Sequence, residues 1–135
     1  LRERFNNNLK SFGVLRERVQ SEVNDGSQMV IEGLDGRKLH IRSQHSALNT
    51  LLQSAGALVM KQALILLDEY AKLWGLDFKF VGNIHDEIQT EVKEDQAEKF
   101  GILAVECLIA AGNHFNLNCP LAGEYKIGDT WYETH

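Results

Sequence analysis

The chain has little cysteine, little proline and no excess of positive charge. Cys107 and Cys119 are its two cysteines, too few for a disulfide framework, which fits a reducing compartment. The formal net charge of −5 argues against a stand-alone nucleic-acid-binding module, although a local basic face stays open. We see no signal peptide and no apolar run long enough to span a bilayer. We therefore expect a cytoplasmic protein with no membrane partner.

The residues that are present fit one ordinary globular domain. Hydrophobic residues make up 44% of the chain and charged residues 24%, as in folded soluble proteins. A chain of 135 residues can bury a sizeable core. Because residue 1 is Leu and falls inside a helical pattern, we expect this chain to be a piece of a longer protein.

Three segments carry the apolar spacing of helices. Apolar residues three or four positions apart predict helices over Leu1–Val23, His45–Trp74 and Gln96–Asn113. The first segment is interrupted near Ser11–Gly13, and it is the most basic part of the chain. A solvated helix face would explain those charges as well as a nucleic-acid contact would.

Strand signals lie between these helices. Asp35-Gly36 predicts a hairpin between Met29–Ile31 and Arg37–Ile41. Further strands are predicted over Phe78–Ile84, Ile88–Val92 and Ala122–Ile127. This order of elements favours an α+β fold in which an antiparallel sheet packs against long helices.

The second hairpin carries the polar triplet His85-Asp86-Glu87 at its tip. Carboxylates on a rigid support can hold a hard divalent cation such as Mg²⁺, which prefers oxygen ligands and shares them with substrate phosphates. A tight turn that caps its own backbone would show the same residues. From the triplet alone, both interpretations stay open.

The long helix carries two amides one turn apart. Asn49 and Gln53 are separated by four residues, so both side chains lie on one face. They could donate hydrogen bonds to something placed against the helix, although two solvated polar residues would look identical. Arg37 puts positive charge on the first hairpin and could touch a phosphate backbone.

Three segments together resemble the C-terminal third of family A (DNA polymerase I-like) DNA polymerases. These are GLDGRKLHIRS, HSALNTLLQSAGALVMK and VGNIHDEIQTEV, in that order and at that spacing. The resemblance covers essentially the whole chain, through the WYETH ending, and is greatest to the replicative polymerases of short-tailed bacteriophages. It implies template-directed nucleotidyl transfer in DNA replication, with primer-template DNA and dNTP as partners.

The resemblance also implies roles for single residues. Asp86 matches the aspartate of the family's motif C, which ligates the catalytic metals, and Glu87 matches the auxiliary acidic residue beside it. His85 matches the histidine near the primer 3′ end. Asn49 and Gln53 match helix residues that contact the primer-template near its terminal pair. Catalysis would use two Mg²⁺ ions, held in part by Asp86 and Glu87.

Several parts of such an enzyme are missing from these 135 residues. Under the resemblance, residues 1–27 would be the end of the fingers helices, and residues 28–135 would be the palm subdomain with the motif C hairpin. The other metal-binding aspartate, the nucleotide-binding helix and the thumb have no counterpart in the sequence. We therefore expect the isolated chain to be inactive or nearly so, with its partner being the missing N-terminal polymerase region or a complementary chain.

Two other functions would also fit these residues, and the polymerase hypothesis has consequences for self-association and cellular location. The chain could be a non-catalytic DNA- or protein-binding domain derived from the palm, or a small metal-dependent phosphohydrolase that uses the triplet. A palm without its neighbouring strand would expose a sheet edge and permit self-association. If the chain is phage-encoded, its location is the cytoplasm of the bacterial host.

Overall fold

The computed structural model describes residues 10–24, 29–43 and 46–135. It contains helices and antiparallel strands, as the α+β prediction requires. Its elements are α1 (Lys10–Asn24), β1 (Val30–Glu32), β2 (Lys38–His40), α2 (Ala47–Leu73), β3 (Phe78–Ile84), β4 (Glu87–Val92), a 3₁₀ turn (Glu94–Gln96), α3 (Ala97–His114) and α4 (Trp131–Thr134).

The chain divides into two compact units. The first unit is Leu1–Ala55 and the second unit is Gly56–His135. Within the described residues each unit contains one two-stranded antiparallel sheet, β1–β2 in the first and β3–β4 in the second. The division between fingers and palm after residue 27 stays a prediction.

The first unit is a helix and a hairpin around a small core. Strands β1 and β2 pair from Val30↔His40 to Glu32↔Lys38, and the loop between them contains Gly36 at φ 78°. The predicted Asp35-Gly36 turn is therefore confirmed, since glycine enters this left-handed region without steric cost. The buried core residues are Val19, Val23, Ile31, Ile41 and Ala47.

The first predicted helix is confirmed only in part. Helix α1 runs from Lys10 to Asn24 without the interruption expected near Ser11–Gly13. A single glycine weakens a helix interior without breaking it. The prediction for residues 1–9 lies outside the described residues.

The core of the second unit lies between two helices and the β3–β4 hairpin. Helix α2 contributes Leu67 and Ala71, and helix α3 contributes Phe100, Leu103 and Cys107. Phe78 and Phe80 point to this core from alternate positions of β3. The ring of Phe78 lies 5.2 Å from that of Phe80 and 5.3 Å from that of Phe100. These contacts hold the hairpin against the helices.

A second cluster in this unit anchors the chain that follows α3. Its buried members are Val59, Ala63 and Ala111, and Leu117 and Leu121 pack against them. The prediction of a strand over Ala122–Ile127 was wrong, because this segment has no strand partner and no regular secondary structure. It contacts α3 instead through Tyr125, which lies against Gly101, and the preceding residue Leu121 lies against Gly112.

Helix α2 is long and apolar enough to cross a membrane, judged by length and composition alone. This corrects the expectation that no segment meets those limits, because 18 consecutive residues of the helix are largely apolar and include at most two charged side chains. Core helices of soluble proteins meet the same limits. The helix therefore gives only weak evidence for a membrane span.

Candidate nucleic-acid and metal site

The β3–β4 hairpin positions the polar triplet. Its strands pair from Phe78↔Val92 to Ile84↔Glu87, so the turn consists of two residues, His85 and Asp86. The backbone of His85 has φ 56°, which matches the positive φ at the first central residue of hairpin turns. Glycine or asparagine usually occupies that position. His85 is therefore held in an uncommon conformation at the tip of the hairpin.

One extra residue bends the hairpin below this tip. The register shifts between Phe80 and Gly82, which leaves Val81 as a bulge with 65% of its surface exposed. A bulge of this kind increases local twist and redirects the side chains beyond it. It lies between the phenylalanines that fix the hairpin to the core and the turn that carries Asp86.

The turn presents His85 and Asp86 to solvent. Both residues are exposed, and within residues 10–24, 29–43 and 46–135 neither has a hydrogen bond or ion pair. An exposed carboxylate without protein partners keeps its oxygens available to a cation. The structure thus presents these two predicted site residues side by side.

Glu87 differs from Asp86 in position and in contacts. It is the first residue of β4 rather than part of the turn, and it is half-buried. Its Oε1 accepts hydrogen bonds from Gln89 Nε2 and from Trp131 Nε1 at 3.2 Å. His135 Nδ1 lies 2.9 Å from Glu87 Oε2. Because a carboxylate only accepts hydrogen bonds, this contact requires a proton on Nδ1.

These contacts lower the pKa of Glu87 below its ordinary value. The hydrogen bond from Gln89 is the largest cause, and the one from His135 follows. Partial desolvation opposes them, while the charge of His135 and the Trp131 hydrogen bond act in the same direction. Donors that stabilise the charged form of a carboxyl favour its ionisation, so Glu87 is held as a carboxylate.

The short helix α4, which carries Trp131, is stabilised by its own capping hydrogen bonds. Thr130 and Glu133 form a reciprocal capping box at the start of α4, in which Glu133 Oε2 accepts from the backbone N–H of Thr130 at 3.1 Å. The same oxygen also accepts from the backbone N–H of Asp129 at 2.7 Å. Thr134 Oγ1 adds a contact of 3.3 Å to Gln89 Oε1. Such caps stabilise short helices, so α4 meets β4 as an ordered element.

The remaining predicted site residues lie in the first unit. Asn49 and Gln53 are exposed and lie one turn apart on α2, as predicted. Arg37 is exposed beside β2, and its Nε donates to Asp35 Oδ2 at 2.6 Å. All three side chains are exposed to solvent within that unit.

Sequence reasoning missed Gln89 and His135 as neighbours of the triplet. It also missed Trp131, whose indole N–H donates to Glu87. Trp131 and His135 are separated from Glu87 by 44 and 48 positions, so no local pattern reveals these contacts.

The described residues do not form a complete metal site. Within them, no three or more His, Cys, Asp or Glu side chains are grouped so that they could hold a metal ion. Asp86 offers free oxygens, which fits a hard cation. The oxygens of Glu87 already accept from three side chains, so a cation at this carboxylate would compete with them. Its role as a metal ligand stays a prediction.

The whole chain is similar to known DNA polymerases. The model of DNA polymerase family A matches residues 11–133. The DNA-directed DNA polymerase of Enterobacteria phage T3 is 40% identical and that of Escherichia phage T7 is 38% identical, each aligned over 100% of this chain and 22% of its own length. DNA polymerase I of Aquifex aeolicus is 30% identical over 97% of this chain and 23% of its length.

A solved structure has the same fold. The POL domain of Pol1 from M. smegmatis, in complex with DNA primer-template and dNTP, superposes with a TM-score of 0.67 at 22% identity. The match covers 82% of this chain and 22% of that one. This chain therefore spans less than a quarter of the length of the relatives it matches.

Proposed function

Because the chain belongs to DNA polymerase family A, we propose that it supplies the palm portion of a template-directed DNA polymerase, in which Asp86 is a metal ligand. One observation carries this proposal. Within a segment that matches the family model, a two-residue turn at the tip of a packed hairpin presents Asp86 to solvent with its carboxylate unpaired among the described residues.

The metal in question is Mg²⁺. When bound with nucleotide, it would polarise the phosphate oxygens and stabilise the charge that develops during transfer. Asp86 supplies one carboxylate for it, and the described residues contain no group of three or more side chains that could hold a metal ion. A two-ion site would therefore need ligands from outside the described residues.

The first unit supplies groups suited to primer-template DNA. Every Watson–Crick pair presents acceptors at similar places in the minor groove, so an amide donor can test pair geometry without reading sequence. The exposed amides of Asn49 and Gln53 have the spacing for this role. Arg37 is suited to the phosphate backbone, and His85 would lie near the primer 3′ end, beside the group that attacks the nucleotide α-phosphate.

The chemistry can be tested with primed template, dNTPs and Mg²⁺. The isolated chain should show no measurable extension, and activity should appear when the missing polymerase region is joined to it or mixed with it. Robust extension by the isolated chain would overturn the incomplete-site proposal. In the gene product that contains this chain, Asp86→Asn should abolish extension, whereas Glu91→Gln on the same hairpin should not.

DNA binding gives a second test. We expect weak binding of primed DNA that declines with added salt and is lost in Gln53→Ala. Asn113→Ala removes an exposed amide from helix α3 and serves as the matched control. Salt-independent binding to a protein partner would instead favour a non-catalytic domain.

Because the metal site is incomplete, a non-catalytic binding domain is the second candidate function. Sequencing the DNA upstream of the codon for Leu1 distinguishes it from the polymerase. An open frame with the missing aspartate motif and nucleotide-binding helix supports the polymerase, and a start codon at this point supports the binding domain. The phosphohydrolase alternative has no such support, since its ligand cluster is absent from the described part of the chain.

Two further properties are part of the proposal. The β3–β4 sheet has two strands in the described structure, so an open edge could pair with a second copy when the rest of the polymerase is absent. We also propose a cytoplasmic location, in the bacterial host if the gene belongs to a phage.

A further inference from the structure

The two adjacent carboxylates of the hairpin have opposite surroundings. A carboxylate has about four lone-pair positions on its two oxygens. Glu87 uses three of them for Gln89, Trp131 and His135. Asp86 uses none for described protein groups. A cation that took both oxygens of Glu87 would have to displace at least one of these donors.

The donors to Glu87 form a connected network. Gln89 donates to Glu87, and its Oε1 accepts a hydrogen bond from Thr134 Oγ1 at 3.3 Å. The side chains of Glu87 and Gln89 extend from the same face of β4, because they are two positions apart. Trp131, the first residue of α4, and His135, the residue after this helix, reach that face, and their rings pack edge to face with centroids 6.2 Å apart. Strand β4 and the segment Trp131–His135 are therefore joined through contacts to Glu87.

This network ends at the residue beside Asp86. Because the hairpin turn has only two residues, the orientation of Asp86 depends on how firmly Ile84 and Glu87 are held. Ile84 is exposed, so it adds little packing. On the other side of Asp86, the contacts of Glu87 with Trp131 and His135 hold the backbone in place.

On this basis we propose that Glu87 is a positioning residue rather than a metal ligand. Its carboxylate holds the Trp131–His135 turn against β4, and this contact fixes the orientation in which Asp86 meets the cation. The role assigned to Asp86 rests on the proposed function, whereas the docking of α4 on Glu87 does not.

The comparison of Glu87→Gln with Glu87→Ala separates the two roles. The glutamine keeps an acceptor for Trp131, and its amide can donate to the other tautomer of His135, but it is a poor ligand for Mg²⁺. Alanine removes both capacities. Trp131→Phe and His135→Ala remove single donors without touching the carboxylate, and His135→Asn restores a donor. Glu91→Ala removes an exposed carboxylate from the same strand as the matched control.

The variants are compared in the gene product that contains this chain. Hydrogen exchange of residues 84–92 and 129–135 reports docking without metal or turnover, and extension at varied Mg²⁺ gives kcat and the half-saturating Mg²⁺ concentration. We expect Glu87→Ala to accelerate exchange in both segments by about tenfold or more, as the loss of an acceptor for several donors predicts. Glu87→Gln should change exchange by less than about threefold. Trp131→Phe and His135→Ala should fall between them, and His135→Asn should recover.

The kinetic expectation follows the same order. Glu87→Ala should lower kcat by about tenfold or more, because a misplaced ligand is poorly oriented for catalysis, while Glu87→Gln stays close to the parent in kcat and half-saturating Mg²⁺. If Glu87→Gln raises the Mg²⁺ requirement as much as Glu87→Ala does, Glu87 is a ligand and the inference is wrong. Unchanged exchange in Glu87→Ala would also overturn it.

A failure of the function and a failure of the inference give different results. If Asp86→Asn leaves extension intact, the proposed function fails, while the exchange data still decide whether α4 docks on Glu87. If Asp86→Asn abolishes extension and exchange is the same in all Glu87 variants, the function stands and the positioning role is excluded.

Discussion

The first and second units differ most in charge. The first unit contains 8 Lys and Arg against 6 Asp and Glu, and all six arginines of the chain are in it. The second unit contains 6 lysines, no arginine and 13 Asp and Glu. The formal net charge of −5 is therefore the sum of a mildly basic unit and a strongly acidic one. Net charge of a whole chain is a poor criterion for nucleic-acid binding when its sign changes between units.

The units also differ in their buried cores. Among the described residues, one cluster of five buried residues organises the first unit, whereas two clusters with eight buried residues organise the second. The guanidinium groups, which suit phosphate, thus belong to the unit with the smaller described core. The carboxylate of Asp86, which has no partner among the described residues, belongs to the other unit. The predictions below test whether this contrast has measurable consequences.

The largest effect is expected from Leu67→Ala, which empties a site that is 1% exposed in the second unit. It should lower the free energy of unfolding by about 2–5 kcal/mol, measured by denaturant unfolding, with hydrogen exchange accelerated chiefly in the second unit. Ile65→Ala on the same helix removes a side chain that is 52% exposed, and should change stability by less than about 0.5 kcal/mol. Equal acceleration of exchange in both units would show that they unfold together, which would contradict the description of two units with separate cores.

Two glycine-to-alanine substitutions should change the free energy of unfolding in opposite directions. A Cβ at Gly101 would overlap the ring of Tyr125, whereas a Cβ at Gly56 meets nothing within 4 Å. Gly101→Ala should destabilise the second unit by about 1–3 kcal/mol. Gly56→Ala should stabilise helix α2 by about 0.5–1 kcal/mol. Thermal unfolding of both variants checks the pair, and stabilisation by Gly101→Ala would contradict the packing of Tyr125 on α3.

The charge contrast can be tested by salt dependence. Replacing both Arg37 and Arg42 with alanine should reduce the slope of log affinity for primed DNA against log salt by roughly one per residue. Replacing Lys79 and Lys126 in the acidic second unit is the matched control and should leave the slope unchanged. Affinities measured by fluorescence anisotropy at several salt concentrations give both slopes. Equal losses in the two pairs would mean that the basic unit has no special role.

The smallest effect concerns Tyr125 at high pH. Its hydroxyl donates to Glu98 Oε1 at 2.6 Å, and this hydrogen bond, followed by burial and the charge of Glu98, raises the pKa of Tyr125 above its ordinary value near 10. Because the pKa is higher in the folded state, the stabilisation is fully present below the ordinary value and is lost as pH rises through the raised one.

Titration of tyrosinate absorbance checks this shift. Glu98→Gln should lower the pKa of Tyr125 towards its ordinary value, while Glu106→Gln, an exposed carboxylate of the same helix, should have no effect. An unchanged titration in Glu98→Gln would show that the hydrogen bond does not form in solution.

The sequence predicted those parts of the fold that depend on local chemistry. Asp35-Gly36 was sufficient for the first hairpin because its turn conformation is a property of adjacent residues. The helices α2 and α3 followed from apolar spacing to within a few residues. Glu87 was expected in the turn and lies in β4, because His85 accepts a positive φ that sequence rules assign to glycine or asparagine.

The remaining features depend on contacts between distant residues. Tyr125 and Ile127 have strand-like side chains, but Tyr125 contacts Gly101 across 24 positions, and the segment stays outside any sheet. The candidate site shows the same limit. Asp86 could be identified from its motif, whereas the attachment of Glu87 to Trp131 and His135 depends on how the chain returns to the hairpin.

The contact of Tyr125 with Gly101 has a consequence for how this sequence can change. The ring fills the space that a side chain at position 101 would occupy, so neither residue can be replaced freely while the other is kept. Among related chains, a larger residue at the position of Gly101 should occur with a smaller one at the position of Tyr125. The two positions should therefore covary, which identifies the segment after α3 as part of the fold rather than a replaceable tail.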